Sequence, residues 1–118
     1  MRTSEKVLNP SLKKEIESVF VQTIADLRDV SEAKSFLYDF FNQSEHETFT
    51  KRLAVAYWLK KGRSYNNIKE NLKVSSATIA SVQSMMEKPG FKLAIKKVEA
   101  EEWANQWAEK IKKFVRKK

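Results

Sequence analysis

Apolar residues recur at three- and four-residue intervals along most of this chain, the period of helices that bury one face. The first stripe holds Leu12, Ile16, Val19, Phe20, Ile24 and Leu27. Asn9 is a good N-cap ahead of it, and Pro10 suits a first helical position, where its missing amide hydrogen would have had no partner anyway. The pattern predicts a helix from Pro10 to about Arg28. Ser31 is placed to cap a second helix carrying Ala33, Phe36, Leu37, Phe40 and Phe41, with a break at Asn42-Gln43. Ser44 and Glu47 then have the spacing of a capping box. In the third helix Phe49, Leu53, Ala56 and Tyr57 form one stripe, while Val55, Trp58 and Leu59 add apolar surface outside it. One neighbouring helix cannot cover that much surface, so two partners are required. Gly62 ends the helix, because glycine takes the left-handed C′ conformation without a Cβ penalty.

A short helix follows, with Ser64 as cap and Tyr65, Ile68 and Leu72 on one face. Lys73-Val74-Ser75 reads as a tight turn, after which Ser75 caps a helix from Ser76 to Met86 with Ile79, Val82 and Met86 on its apolar side. Pro89-Gly90 should break the chain after Met86. The last stretch carries Phe91, Ala94, Ile95, Val98, Trp103, Trp107, Ile111 and Phe114, as one helix or two. No internal repeat is visible.

With 118 residues, a single helical domain over residues 1–118 is expected, its helix-turn-helix at about 64–86 and a basic extension at about 99–118. Only two glycines and two prolines leave little material for the turns of an all-β fold, so the class is all-α. A net charge of +8 favours polyanionic partners without saying which. The chain has no cysteine, which removes disulfides, thiolate metal sites and thiol nucleophiles and fits a reducing compartment. No signal-peptide-like or bilayer-spanning run is visible, so a cytoplasmic protein is expected.

Two helices joined by one tight turn make a DNA-reading head when the first crosses the phosphate backbone and the second lies in the major groove. The second helix then needs an outer face free of bulk. Ser76, Ala77, Ala80 and Ser84 meet that condition, an alanine can touch a thymine methyl, and Thr78 and Ser81 add hydroxyls. At the Ser75-Ser76 end, free amides and the helix dipole favour a phosphate oxygen. An ordinary helical hairpin with a serine-rich solvated face has the same spacing.

The runs Lys51-Arg52-Leu53-Ala54-Val55-Ala56 and Leu59-Lys60-Lys61-Gly62-Arg63-Ser64-Tyr65, followed by Ile68, Leu72 and Val74-Ser75-Ser76-Ala77-Thr78-Ile79, resemble the Trp-repressor superfamily. Within it the chain looks most like the YerC/YecD-type Trp-repressor-related proteins. The likeness covers roughly residues 31–98, and its most specific part is Ala77-Thr78-Ile79 after a capped turn. It implies a Trp-repressor-like helical bundle, an intertwined homodimer formed through the N-terminal helices, and one reading head per subunit in successive major grooves. Carried over by position, Asn66 and Lys69 would contact DNA from the first helix of the head, and Ser76, Ala77 and Ala80 would face the bases. Arg52 and Thr78 stand where the tryptophan-binding repressor has two groups of its corepressor pocket, so these mark an effector pocket. The recognition-helix arginine that stacks on that ligand is Ser81 here, and a pocket serine is Met85. Losing the arginine removes a stacking plane and a cation, which argues against tryptophan as ligand. No cofactor is expected. Lys73 occupies a glycine position of the repressor, where a left-handed residue would be strained. Beyond Val98 the resemblance offers no counterpart.

The lysines and arginine from Lys110 to Lys118 fit either a phosphate-contacting arm or a solvated helix end. Trp103 and Trp107 lie one turn apart, the spacing of core or dimer packing. His46 is the only histidine and has no cysteine to share a metal with. No nucleophile with a base, phosphate loop or paired carboxylates stands at a working spacing, so an enzyme is not expected. The leading expectation is a homodimeric operator-binding regulator, acting as a repressor on double-stranded DNA and not on membranes. Two other readings stay open: a protein- or RNA-interaction module indifferent to DNA sequence, and an anionic-membrane binder through the last helix.

Overall fold

The computed structural model describes residues 7–116, with the side chains at 107, 108, 110, 112 and 114–116 outside the description. Six helices follow in order among the described residues: α1 (Pro10–Ala25), α2 (Val30–Phe40), α3 (Gln43–Lys60), α4 (Tyr65–Leu72), α5 (Ser76–Met85) and α6 (Pro89–Arg116). The fold is all-α, and no described helix is long and apolar enough to cross a membrane. Two compact units divide the chain, residues 1–42 and 43–118.

In the first unit Asn9 caps α1 as its sequence requires, its Oδ1 accepting from the amides of Ser11 and Leu12. The helix ends at Ala25, short of the expected Arg28, with Asp26 as C-cap. The cap of α2 is Asp29 and not Ser31. The reason is a reciprocal arrangement: Asp29 accepts from the Glu32 amide at 2.9 Å, while the Glu32 carboxylate accepts from the Arg28 amide and guanidinium at 3.0 and 2.7 Å. An aspartate followed three residues later by a glutamate outcompetes a serine already inside the first turn. Phe20, Phe36, Phe40 and Phe41 form an aromatic cluster, the Phe36 and Phe40 rings stacked at 4.8 Å between centroids. Neither α1 nor α2 buries a single residue, and Ile16 and Val19 stay 50% and 61% exposed.

The second unit is built around α3. Val55 and Ala56 are fully buried there, joined by Ile68 of α4, Ile79 and Val82 of α5 and Ile95 of α6. Of the stripe expected on α3, Ala56 is buried and Tyr57 half-buried, whereas Phe49 and Leu53 are exposed and the inward side is completed by Val55, Trp58 and Leu59. The excess apolar surface read from the sequence is thus used, because α4, α5 and α6 all pack on α3. Helix α3 begins at Gln43, one residue before the expected cap, and the Glu47 carboxylate pairs with Lys51. At its other end Gly62 is left-handed (φ 83), and the Arg63 amide donates to the Trp58 carbonyl at 3.1 Å. That bond closes the helix in the Schellman manner. The Arg63 guanidinium lies 4.0 Å above the Trp58 ring.

Helix α6 runs unbroken to Arg116, with Pro89 opening it. Trp103, read from its spacing as a packing residue, is 63% exposed in the single chain. The Trp107 side chain and all of the basic run from Lys110 to Lys118 except the side chain of exposed Lys113 lie outside the described side chains.

Lys73 is the one described non-glycine residue at positive φ (φ 55, ψ 52). A left-handed residue with a Cβ costs about 1–2 kcal/mol, part of which glycine would give back through its freer unfolded chain. Lys73→Gly should therefore raise the stability by about 0.5–1 kcal/mol in urea unfolding. Unchanged or lowered stability would mean that the lysine side chain contributes more than its backbone costs.

Candidate nucleic-acid interface

The candidate site is the hairpin of α4 and α5. Helices of eight and ten residues are marginal alone in water, so this pair exists because it is packed. Ile68 and Ile79 are fully buried and Val82 is 2% exposed, each burial contributing about 1.5–3 kcal/mol. Serine caps both starts. Ser64 Oγ accepts from the Asn67 amide at 3.1 Å, and Ser75 Oγ from the Thr78 amide at 3.1 Å. The Thr78 hydroxyl lies 3.0 Å from the same Ser75 oxygen. Tyr65 OH donates to Gln83 Oε1 and links the far ends of the two helices. The turn is braced from α3, where Lys51 Nζ donates to the Lys73 carbonyl at 3.3 Å and pairs with Glu47 at 2.9 Å.

With Ile79 and Val82 turned inward, the opposite side of α5 carries Ser76, Ala77, Ala80, Ser81 and Ser84, all exposed. Ser75 and Thr78 are exposed at the start of the helix, as are Asn66 and Lys69 on α4. The outer surface of the hairpin is therefore small and hydroxylated, with a lysine beside it.

Along one flank of α5 runs an open cleft of about 540 Å³. Arg52 and Thr78, the two residues marked for an effector pocket, both line it, and so do Ser81 and Met85, where this chain departs from the repressor pattern. Sequence reading missed its other wall. Glu47, Thr48 and Lys51 share one face of α3, a spacing visible in the sequence, but nothing local says that this face meets α5. The Lys51 ammonium beside Glu47 holds that carboxyl below the usual carboxylate range, first through the hydrogen bond and then through its charge. Arg52 Cζ lies 5.4 Å above the Phe49 ring. The cleft thus joins hydroxyls, two cations and one paired carboxylate to an apolar lining of Val74, Ala77, Val82 and Met85. Among the described residues no group of histidine and carboxylate side chains could hold a metal.

The family model described as Trp repressor protein matches residues 15–99, most of the chain. The chain belongs to the Trp repressor family. That family is one of DNA-binding transcriptional regulators and not of enzymes, and the hairpin of α4 and α5 falls wholly inside the matched stretch. The match also takes in most of α1, upstream of the segment that carries the resemblance in sequence. A relative, the "Uncharacterized protein YerC" of Bacillus subtilis (strain 168), is 33% identical over 70 residues. That alignment spans 59% of this chain and 66% of YerC, a little under two thirds of that protein's length. No solved structure matches the chain. Within the Trp repressor family, this chain retains the hairpin with a lysine in the left-handed turn and with Ser81 and Met85 on the cleft wall.

The Glu47 carboxyl offers a direct check on the brace behind the turn. Its folded value is depressed, so the stabilisation it brings is present above the unfolded carboxylate range and fades as pH falls through the folded value. A carbon-detected NMR titration should place Glu47 below an ordinary glutamate, and Lys51→Met should return it to the ordinary range. A Glu47 titration indifferent to Lys51→Met would remove the pair from the account.

Proposed function

We propose that this protein binds operator DNA as a homodimer through the α4 and α5 hairpin and represses transcription by occupying promoters. The observation that carries this reading is the outer face of α5, where Ser76, Ala77, Ala80, Ser81 and Ser84 are all exposed on a helix whose other side is anchored by Ile79 and Val82. A helix so stripped of bulk lets its backbone approach base edges, with α4 and Lys69 against the phosphates. Ser75 and Ser76 sit where amides and dipole favour a phosphate oxygen.

Support for the dimer comes from the first unit. Helix α1 leaves Leu12, Ile16, Val19, Phe20 and Ile24 exposed in one row, more apolar surface than a lone soluble unit keeps in water. A second copy covering that row turns two reading heads into one two-fold assembly. Half-sites then lie about 34 Å apart, one turn of duplex. The cleft beside α5, with Arg52 and Thr78 on its wall, is where a small effector would alter the setting of the reading helix. Without the stacking arginine, tryptophan is a poor candidate for it.

Ser76→Glu tests the face. A glutamate at the first position of α5 suits the helix dipole, so the fold should persist by circular dichroism. Beside DNA it places like charge against phosphate and should weaken specific binding by roughly 2 kcal/mol or more, about 30-fold, in fluorescence anisotropy. Binding that survives unchanged would place the reading surface elsewhere. Selection from a random duplex pool should return a palindrome with half-sites one helical turn apart. A pool left without enrichment would favour a module indifferent to sequence.

A further inference from the structure

Arg63 stands between the end of α3 and the cap of α4, and its exposed side chain is held on two sides. Its Cζ lies 4.0 Å from the centroid of the Trp58 ring, and its Nη1 donates to Asn67 Oδ1 at 3.2 Å. Both partners are themselves fixed. Trp58 is half-buried against the core of the second unit. Asn67 sits in the first turn of α4, where Ser64 Oγ accepts from its amide and Asn71 Nδ2 donates to its carbonyl at 2.8 Å. The left-handed Gly62 and the bond from the Arg63 amide to the Trp58 carbonyl set where the side chain starts. A ring face below and an amide oxygen at one edge leave a long side chain few of its rotamers.

What this guanidinium lacks is an anion. Arg28 is matched by Glu32, Lys51 by Glu47 and Lys61 by Glu102, whereas among the described residues no carboxylate pairs with Arg63. Glu70, the one acid of α4, forms no ion pair with it either. Asn67 is neutral, so the hydrogen bond to it leaves the charge uncompensated. It also leaves the Nε and Nη2 hydrogens, the parallel fork whose spacing suits two oxygens of one phosphate.

We propose that Arg63 is a pre-set phosphate clamp, gripping one backbone phosphate of duplex DNA with the Nε and Nη2 edge that Asn67 leaves open. The assignment rests on the reading of α4 and α5 as a DNA-binding hairpin, and it adds a contact that lies outside both helices. With α5 in the major groove, α4 crosses the phosphate strand. Asn66 and Lys69 are exposed on α4, and Arg63 adjoins them at its start, bonded to the residue next to Asn66. A clamp already held by Trp58 gives up little freedom when the phosphate arrives, which a loose lysine cannot match. The competing role is structural, a cation that only steadies the end of α3. Measurement separates the two, because a structural contact changes stability and a phosphate contact changes the response to salt.

The test follows duplex binding by fluorescence anisotropy across a salt series for the full chain and its Arg63→Gln and Arg63→Lys variants. Duplex recovered by selection and duplex of random sequence are both used, with urea unfolding alongside. Arg63→Gln should lower the slope of log affinity against log salt by about 0.9 for each reading head. It should weaken binding to both duplexes alike, on the order of tenfold per head near 0.1 M salt. Arg63→Lys should keep the slope and lose part of the affinity, since the charge remains and the fork does not. An unchanged slope in Arg63→Gln overturns the clamp, even where unfolding shows lost stability. A loss confined to the selected duplex overturns it too, because Arg63 would then be touching a base. Full affinity in Arg63→Lys overturns the fork. Failure of the operator reading looks different: selection returns no enrichment, yet the slope change still appears on random duplex. No binding to either duplex overturns both.

Discussion

Burial of Val55 and Ala56 at the centre of α3 is the constraint on which the second unit depends. Neither α4 nor α5 is long enough to persist alone, and each buries only one or two side chains fully. Their order is borrowed from α3, which carries apolar residues on more than one side and so holds three neighbours at once. A longer α4 or α5 would need less support from α3. The result is a hairpin whose inner side is fixed by isoleucine packing and whose outer side is left with side chains that need no fixing.

The turn between the two helices is held from several directions. Ser75 Oγ accepts from the Thr78 amide in the first turn of α5, the Lys73 carbonyl receives Lys51 from α3, and Lys51 is itself held by Glu47. These contacts offset the cost of a side chain at a left-handed position. The same Lys51 and Glu47 form part of the cleft wall, so the group that steadies the turn faces the cleft. Coupling between the cleft and α5 would therefore need only a shift of the Lys51 ammonium, with no rearrangement of the core.

What the sequence revealed and what it hid follow from locality. Caps at Asn9, Ser64 and Ser75 were legible because each involves an amide two or three residues away, and the left-handed Gly62 for the same reason. The cap of α2 was misread because two candidates stood close together and the reciprocal bonds of Asp29, Glu32 and Arg28 favoured the earlier one. The inward face of α3 is blurred because burial on several sides erases the contrast that periodicity relies on: the need for more than one partner over Val55, Trp58 and Leu59 is legible, but the exposure of Phe49 and Leu53 is not. In α6 the inward Phe91, Ala94, Ile95 and Val98 and the exposed Trp103 and Ile111 read in sequence as one apolar stretch, and only the packing of Ile95 distinguishes them. Of the candidate site, the hairpin and its small outer residues could be read from spacing. The α3 wall of the cleft could not, since it is made by residues some thirty positions away.

As the proposed reading helix, α5 would be limited by its sparseness in telling one base pair from another. Its outward side holds no arginine, lysine or asparagine, and Gln83 is already engaged with Tyr65. Paired hydrogen bonds to guanine or adenine edges are thus beyond its reach. Discrimination by such a helix falls to thymine methyl groups, to bridging waters, and to how readily a given duplex narrows or bends to meet the backbone. Operators for a protein of this kind would resemble one another more in mechanical character than in letter-by-letter agreement.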